Sequence, residues 1–172
     1  ERAIRLLLSA PYHAVTLLWG AKHFGIYSAP VNDSIAFVAN LGLGPNTNPQ
    51  DTGAVNHYPC AGTTGAQAYA QGEIPSPFPS EPNPAWGQPI IVKGTSSLRV
   101  TGASLIGPEG EIKIKAVYAA GQAIDPNGYC REGWACVIPE PLRAGATYEV
   151  YLTWTDSNGS GASRFSFSTG ER

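Results

Sequence analysis

His13 stands in the stretch Ser9-Ala-Pro-Tyr-His13-Ala-Val-Thr-Leu-Leu18, just behind a short segment with one apolar face. An imidazole titrates near neutrality, so it can bind a metal, move a proton or bond a ligand. Ser9, His13 and Asp33 supply the residue types of a hydrolytic triad, but no nucleophile elbow surrounds Ser9. Gly42-Leu-Gly44 lacks the strand-to-helix setting that phosphate binding needs. Asp125, Asn127 and Gly128 have the first residues of a calcium loop without its later bidentate Glu, and a turn explains them. His23 and His57 carry no comparable context. Chemistry or binding therefore falls to His13, against the competing reading of a loop histidine that only packs or hydrogen-bonds. Alone it makes a poor zinc site, because stable binding takes three or four protein ligands.

The three cysteines are Cys60, Cys130 and Cys136. Cys130 and Cys136 bracket Arg-Glu-Gly-Trp-Ala, a loop that closes as a disulfide if the two Cα atoms come within about 7 Å. Two buried thiols or half of a metal site are the alternatives. A metal site needs further Cys or His at ligand spacing, and none lies nearby. The disulfide is expected, and with it an oxidising compartment. Cys60 is left over, with a cysteine upstream of Glu1 as its candidate partner.

The elements that must position these residues are short and mostly β. Of the 172 residues 42% are hydrophobic and only 14% charged, with 20 Gly and 15 Pro, a balance that favours many turns and short strands. A net charge of -2 gives no electrostatic reason to expect nucleic acid or an anionic membrane as partner. No apolar run is long enough to span a bilayer. The sequence has no Met and opens on Glu1 inside what reads as a helix, so a processed or trimmed piece is expected, and any export signal would have gone with the preceding part.

Residues 1–10 read as the tail of an amphipathic helix, with Ile4, Leu7 and Leu8 on one face and Arg2, Arg5 and Ser9 away from it. Pro11 disfavours helical geometry at Ala10, so the helix is expected to stop there and 12–18 to form a turn and a short apolar segment. Residues 23–27 and 34–41 read as a hairpin around Pro30-Val-Asn-Asp33, and 42–58 as a connection. A proline cluster runs from Pro75 through Pro77, Pro79, Pro82 and Pro84 to Trp86, and its segment Glu73–Pro82 should be extended. A loop packed on its own domain explains it better than an SH3-type ligand does. From Gln88 onward, strands are expected at 89–92, 97–106, 111–119, 134–138, 147–155 and 163–168. Turns at Gly107-Pro-Glu-Gly110, Asp125-Pro-Asn-Gly128 and Asp156-Ser-Asn-Gly159 separate several of them. Short antiparallel strands at this spacing argue for a sandwich.

Pro141-Leu-Arg-Ala-Gly-Ala-Thr-Tyr148 resembles the tyrosine corner of immunoglobulin-like and fibronectin-like domains, which gives Tyr148 a structural role. The run from Arg2 through His13 to Leu18 resembles the late helix and histidine segment of bacterial CAP-superfamily domains, the group of cysteine-rich secretory, antigen 5 and pathogenesis-related-one proteins. Residues 23–27 and 34–42 look like the strands that follow. His57-Tyr-Pro-Cys-Ala-Gly62, the segments 72–79 and 87–92, residues 139–152 and the closing Phe165-Ser-Phe-Ser-Thr-Gly170 resemble the immunoglobulin-like extension of some of these proteins.

The resemblance implies a mainly β chain, with the last helix and strands of an α-β-α CAP fold in 1–57. An immunoglobulin-like antiparallel β-sandwich with a proline-rich lead-in would follow in 58–172. It also implies that His13 is the second histidine of a cleft tetrad of two His and two Glu that can hold a divalent metal such as zinc. The other three members would precede Glu1. Ala14 departs from the family pattern, in which Arg usually follows the His. The expected role is non-enzymatic binding or adhesion at the cell envelope of an exported bacterial protein, secreted or periplasmic. The partner would be an envelope polymer, lipid or protein, and the missing N-terminal part, as a separate bound fragment, is an expected second partner. The rival is a metal-assisted hydrolase with His13 as a ligand.

Overall fold

A computed structural model describes residues 2–18, 23–32, 34–42 and 54–171. Asp33, Gly44 and most of the connection expected over 42–58 lie outside the described residues, as does the side chain of His23.

The chain begins with two short helices, α1 (Arg2–Ser9) and α2 (Pro11–Leu17). Ala10 between them is extended, at φ -95° and ψ 113°, the geometry a following proline imposes. The expected stop at Ala10 is thus a break. The turn expected over 12–18 is instead a second helix, because proline is tolerated at the first helical position, where its missing N–H would have no intrahelical acceptor. Thr16 Oγ1 donates to the Tyr12 carbonyl at 3.0 Å, and Leu18 N closes the last turn on Ala14 O at 2.9 Å.

A hairpin follows, β1 (His23–Val31) and β2 (Ser34–Gly42), paired antiparallel from His23↔Gly42 to Val31↔Ser34. Asn32 in its turn has φ 55°, a left-handed value that Asn tolerates. The remaining strands are β3 (Asn56–Tyr58), β4 (Thr63–Ala66), β5 (Ala70–Gln71), β6 (Ala85–Trp86), β7 (Ile90–Lys93), β8 (Arg99–Gly107), β9 (Gly110–Ile112), β10 (Ile114–Tyr118), β11 (Trp134–Pro139), β12 (Thr147–Asp156) and β13 (Gly159–Thr169). They form a four-stranded sheet in the order β10-β11-β7-β3, a five-stranded sheet in the order β4-β13-β12-β8-β9, and a small β5-β6 ladder. All neighbours are antiparallel except β4, which runs parallel to β13 along one edge. The chain is mainly β, as expected. The division expected between 57 and 58 falls within β3, which pairs with β7.

Where one strand was expected over 111–119, two form. β9 pairs with β8 in one sheet and β10 with β11 in the other, so the chain changes sheets at Lys113. The alternation is continuous through this point, so periodicity alone gave no sign of the crossing.

The two larger sheets enclose one apolar cluster, to which β7 contributes Ile90 and Val92, β11 contributes Val137, and β12 and β13 contribute Tyr148, Val150, Leu152, Phe165 and Phe167. A second cluster lies on the opposite face of the four-stranded sheet. There Ile91, Trp134, Cys136 and Ile138 pack with Tyr12, Ala14 and Val15 of α2 and with Phe78 and Trp86. That sheet is therefore buried on both sides, which is why Ile90-Ile-Val92 and the six residues of β11 read as unbroken apolar runs. The five-stranded sheet alternates instead, since its outer face meets water.

Tyr148, at the start of β12, reaches back to the preceding connection. Its hydroxyl accepts from Arg143 N at 2.7 Å and lies 3.3 Å from the Arg143 carbonyl oxygen. Cys130 and Cys136 form the expected disulfide, with Cα atoms 5.8 Å apart and both residues buried. Gly133 inside the bridged loop has φ 90°, and a Cβ there would come within 2.7 Å of the Thr95 carbonyl oxygen, so only glycine fits this turn.

Candidate functional site

Three parts of the chain meet around Tyr12 and His13: the start of α2, the proline-rich segment from Glu73 to Phe78, and the loop 119–131 that leads into the disulfide. The first amides of α2 have no helical acceptor, and a carboxylate from far along the chain takes them. Glu73 Oε1 accepts from Tyr12 N at 2.9 Å and from His13 N at 3.0 Å. The same oxygen lies 3.0 Å from His13 Nδ1. The Glu73 side chain is fully enclosed while the His13 side chain is 48% exposed. Glu73 Oε2 is buried and finds no hydrogen-bond partner. Burial raises the carboxyl pKa above its ordinary value, against the opposing pull of the bonds from His13 and Tyr12.

Beside this pair, the Tyr12 hydroxyl donates to Asp125 Oδ1 at 2.5 Å and accepts from Asn127 Nδ2 at 3.1 Å. Its ring stacks on Tyr129 with centroids 4.6 Å apart. Burial, reinforced by Asp125, pushes the phenol well above its usual range, so it stays protonated. Asp125 spends its other lone pairs on the chain that carries it, accepting from Asn127 N at 3.0 Å, Tyr129 N at 2.6 Å and Cys130 N at 2.8 Å. Asn127 Nδ2 also donates to Ser76 O at 2.8 Å. A cavity of about 520 Å³ opens beside this network, lined by the loop 119–131 with Gln122, Ile124 and Arg131 among its walls.

The sequence-derived candidates separate here. His13 lies at the edge of the junction with one carboxylate partner. Ser9 is not brought to it; its hydroxyl donates to Leu6 O at 2.7 Å. His57 stacks on Phe165 at 3.7 Å, its Nδ1 is 2.8 Å from the Pro59 carbonyl oxygen, and Ser163 Oγ approaches its Nε2 at 3.4 Å. Cys60 is an exposed thiol. Asp125 and Asn127 form the expected turn, and all of Asp125's acceptor sites are occupied by protein donors. Glu73 was not a candidate: a single acid between Gly72 and Ile74-Pro75 carries no motif. The only signal for it was an acid at the start of a proline-rich segment.

The metal implied by the family resemblance can be tested against this geometry. His13 Nδ1 is engaged by Glu73, an arrangement that also orients metal-ligating imidazoles, and Nε2 remains. Glu73 Oε1 is taken by two backbone amides and lies against His13 Nδ1, however, and among the described residues no group of three or more His, Cys, Asp or Glu is placed to hold an ion. The described residues therefore do not make a zinc site by themselves, and no chemical step through a metal is derived.

What the junction can do is present a half-exposed imidazole, held on an enclosed carboxylate, at the seam between the helices and the sandwich. Among known protein families no model matches the sequence, and the curated proteins contain no match to it.

Proposed function

We propose that this chain is the C-terminal part of an exported bacterial CAP-superfamily protein carrying an immunoglobulin-like sandwich, and that it binds a ligand, surface polymer or protein partner at the cell envelope without turning it over. The observation that carries this reading is His13. An enclosed carboxylate is costly to bury, yet here one supports an imidazole whose side chain stays 48% exposed. Capping the first amides of α2 accounts for the carboxylate; the half-exposed ring held against the same oxygen is what a recognition role adds.

Further features support the family part. The sheet orders β3-β7-β11-β10 and β4-β13-β12-β8-β9 correspond to the A-B-E-D and A′-G-F-C-C′ orders of immunoglobulin-like domains, and Tyr148 sits where their tyrosine corner does. A buried disulfide fits a secreted or periplasmic location, and no helix among the described residues is long and apolar enough to cross a membrane. The rival is a metal-assisted hydrolase, favoured by one observation, the carboxylate–imidazole pairing of Glu73 with His13.

Co-sedimentation with purified cell-wall polymer and with envelope-lipid vesicles tests the binding reading. Binding should weaken by about tenfold in His13→Ala, about 1.4 kcal/mol. Equal binding by the variant would remove His13 from the surface. Hydrolysis of an envelope substrate that needs added zinc and is lost in His13→Ala would favour the rival.

A further inference from the structure

We infer that Glu73 is the positioning residue of His13: it fixes the imidazole as the Nδ1–H tautomer, so that Nε2 offers its lone pair outward and the ligand group it takes is a hydrogen-bond donor, a hydroxyl or an N–H. The inference rests on the reading of His13 as a binding residue and goes beyond it by naming the atom and the chemistry.

The tautomer follows from the other contacts of Glu73. Oε1 accepts from two backbone amides, Tyr12 N and His13 N, which can only donate. If the carboxyl group is ionised, Oε1 is an acceptor. If it is protonated, the oxygen that accepts two amide N–H groups is the carbonyl one, the proton lies on Oε2, and Oε1 is again an acceptor. In both states the atom 3.0 Å from His13 Nδ1 cannot supply a proton, so Nδ1 must. A neutral imidazole with hydrogen on Nδ1 has its lone pair on Nε2. Because one oxygen holds both the backbone and the ring of His13, the ring's direction is set as well as its tautomer. A ligand presenting a carboxylate or phosphate oxygen would face that lone pair with another; a hydroxyl or amine would be met by an acceptor.

The sequence separation gives the pair a second meaning. Glu73 lies 60 residues beyond His13, in the segment that leads into the sandwich. The sandwich side of the molecule thus supplies part of the His13 site and is more than a spacer.

Long-range proton–nitrogen NMR correlation of the imidazoles reads this directly, on the full chain without ligand and at alkaline pH, where the rings are neutral. His13→Gln identifies the His13 signals. His57, whose Nδ1 faces the Pro59 carbonyl, gives an internal example of the same tautomer. The expected pattern for His13 is a protonated Nδ1 and an unprotonated Nε2. Glu73→Gln should retain it, since the two amides keep the side-chain oxygen facing His13. Glu73→Ala should move His13 toward the Nε2–H form that free imidazoles favour in water, with His57 unchanged. A His13 carrying its proton on Nε2 in the unmodified chain or in Glu73→Gln overturns the inference, and so does an unchanged pattern in a folded Glu73→Ala. Should Glu73→Ala fail to fold, the other two spectra still decide. Loss of envelope binding with this tautomer intact would overturn only the binding reading.

Discussion

Glu73 and Tyr12 carry the two residue-level predictions about titration and bonding at the junction. The native pKa of Glu73 is raised, so the folded chain holds its proton more tightly than the unfolded chain does. Its contribution to stability is therefore present below the unfolded value and is lost as pH rises through the higher native one. Thermal unfolding followed from acid to mildly alkaline pH should show this loss in the unmodified chain. Glu73→Gln should flatten the profile over the same interval, and an identical slope in the variant would place the titration elsewhere. Tyr12→Phe should cost about 1–3 kcal/mol in urea unfolding, because buried Asp125 and half-buried Asn127 each lose a partner. These residues also mark the limits of sequence reading at this scale. His13 was legible as a candidate from its setting, whereas Glu73 was not, since the bond joining them spans 60 residues and depends on a fold that no local pattern encodes. Asp125-Pro-Asn-Gly was legible as a turn, but the use of its carboxylate by Tyr12 was not.

At the scale of elements, the helix pair is held to the sandwich through one face of the four-stranded sheet. Trp86 is fully buried in that layer and its indole Nε1 donates to Ser9 O at 2.9 Å, tying the end of α1 to the sandwich. Trp86→Ala should destabilise the chain by about 3–5 kcal/mol. Limited proteolysis should then cut near α1 and α2 before the sandwich strands, and even cutting across the chain would argue against a separately docked helical layer. The strands from 89 onward were largely legible because alternation and turn residues coincide there, as in β12 and β13 around Asp156-Ser-Asn-Gly159. The second helix was missed because Pro11 reads equally as a helix stop and as a first helical residue. The short strands β3 to β6 were missed because two to four residues are too few to show a period.

For the molecule as a whole, two apolar layers share one sheet, and the disulfide lies in the outer layer beside the helices. Cys130→Ala with Cys136→Ala should lower stability by about 2 kcal/mol from loop-closure entropy alone. It should also loosen the loop that carries Asp125, visible as faster exchange of the amides of Tyr129 and of position 130, which bond that carboxylate. Exchange unchanged at those amides would mean the bridge does not support the junction. The mainly β character and the bridge were open to sequence reading. The joining of helices and sandwich into one buried layer was not, because it depends on which face of a uniformly apolar strand meets which neighbour. The most direct measurement is a double-mutant cycle on co-sedimentation with the cell-wall polymer or lipid vesicles that the unmodified chain binds, comparing the unmodified chain, His13→Ala, Glu73→Ala and the double variant. If Glu73 acts through His13, Glu73→Ala weakens binding in the unmodified background and adds nothing once His13 is gone. Additive losses from the two substitutions would contradict a shared site.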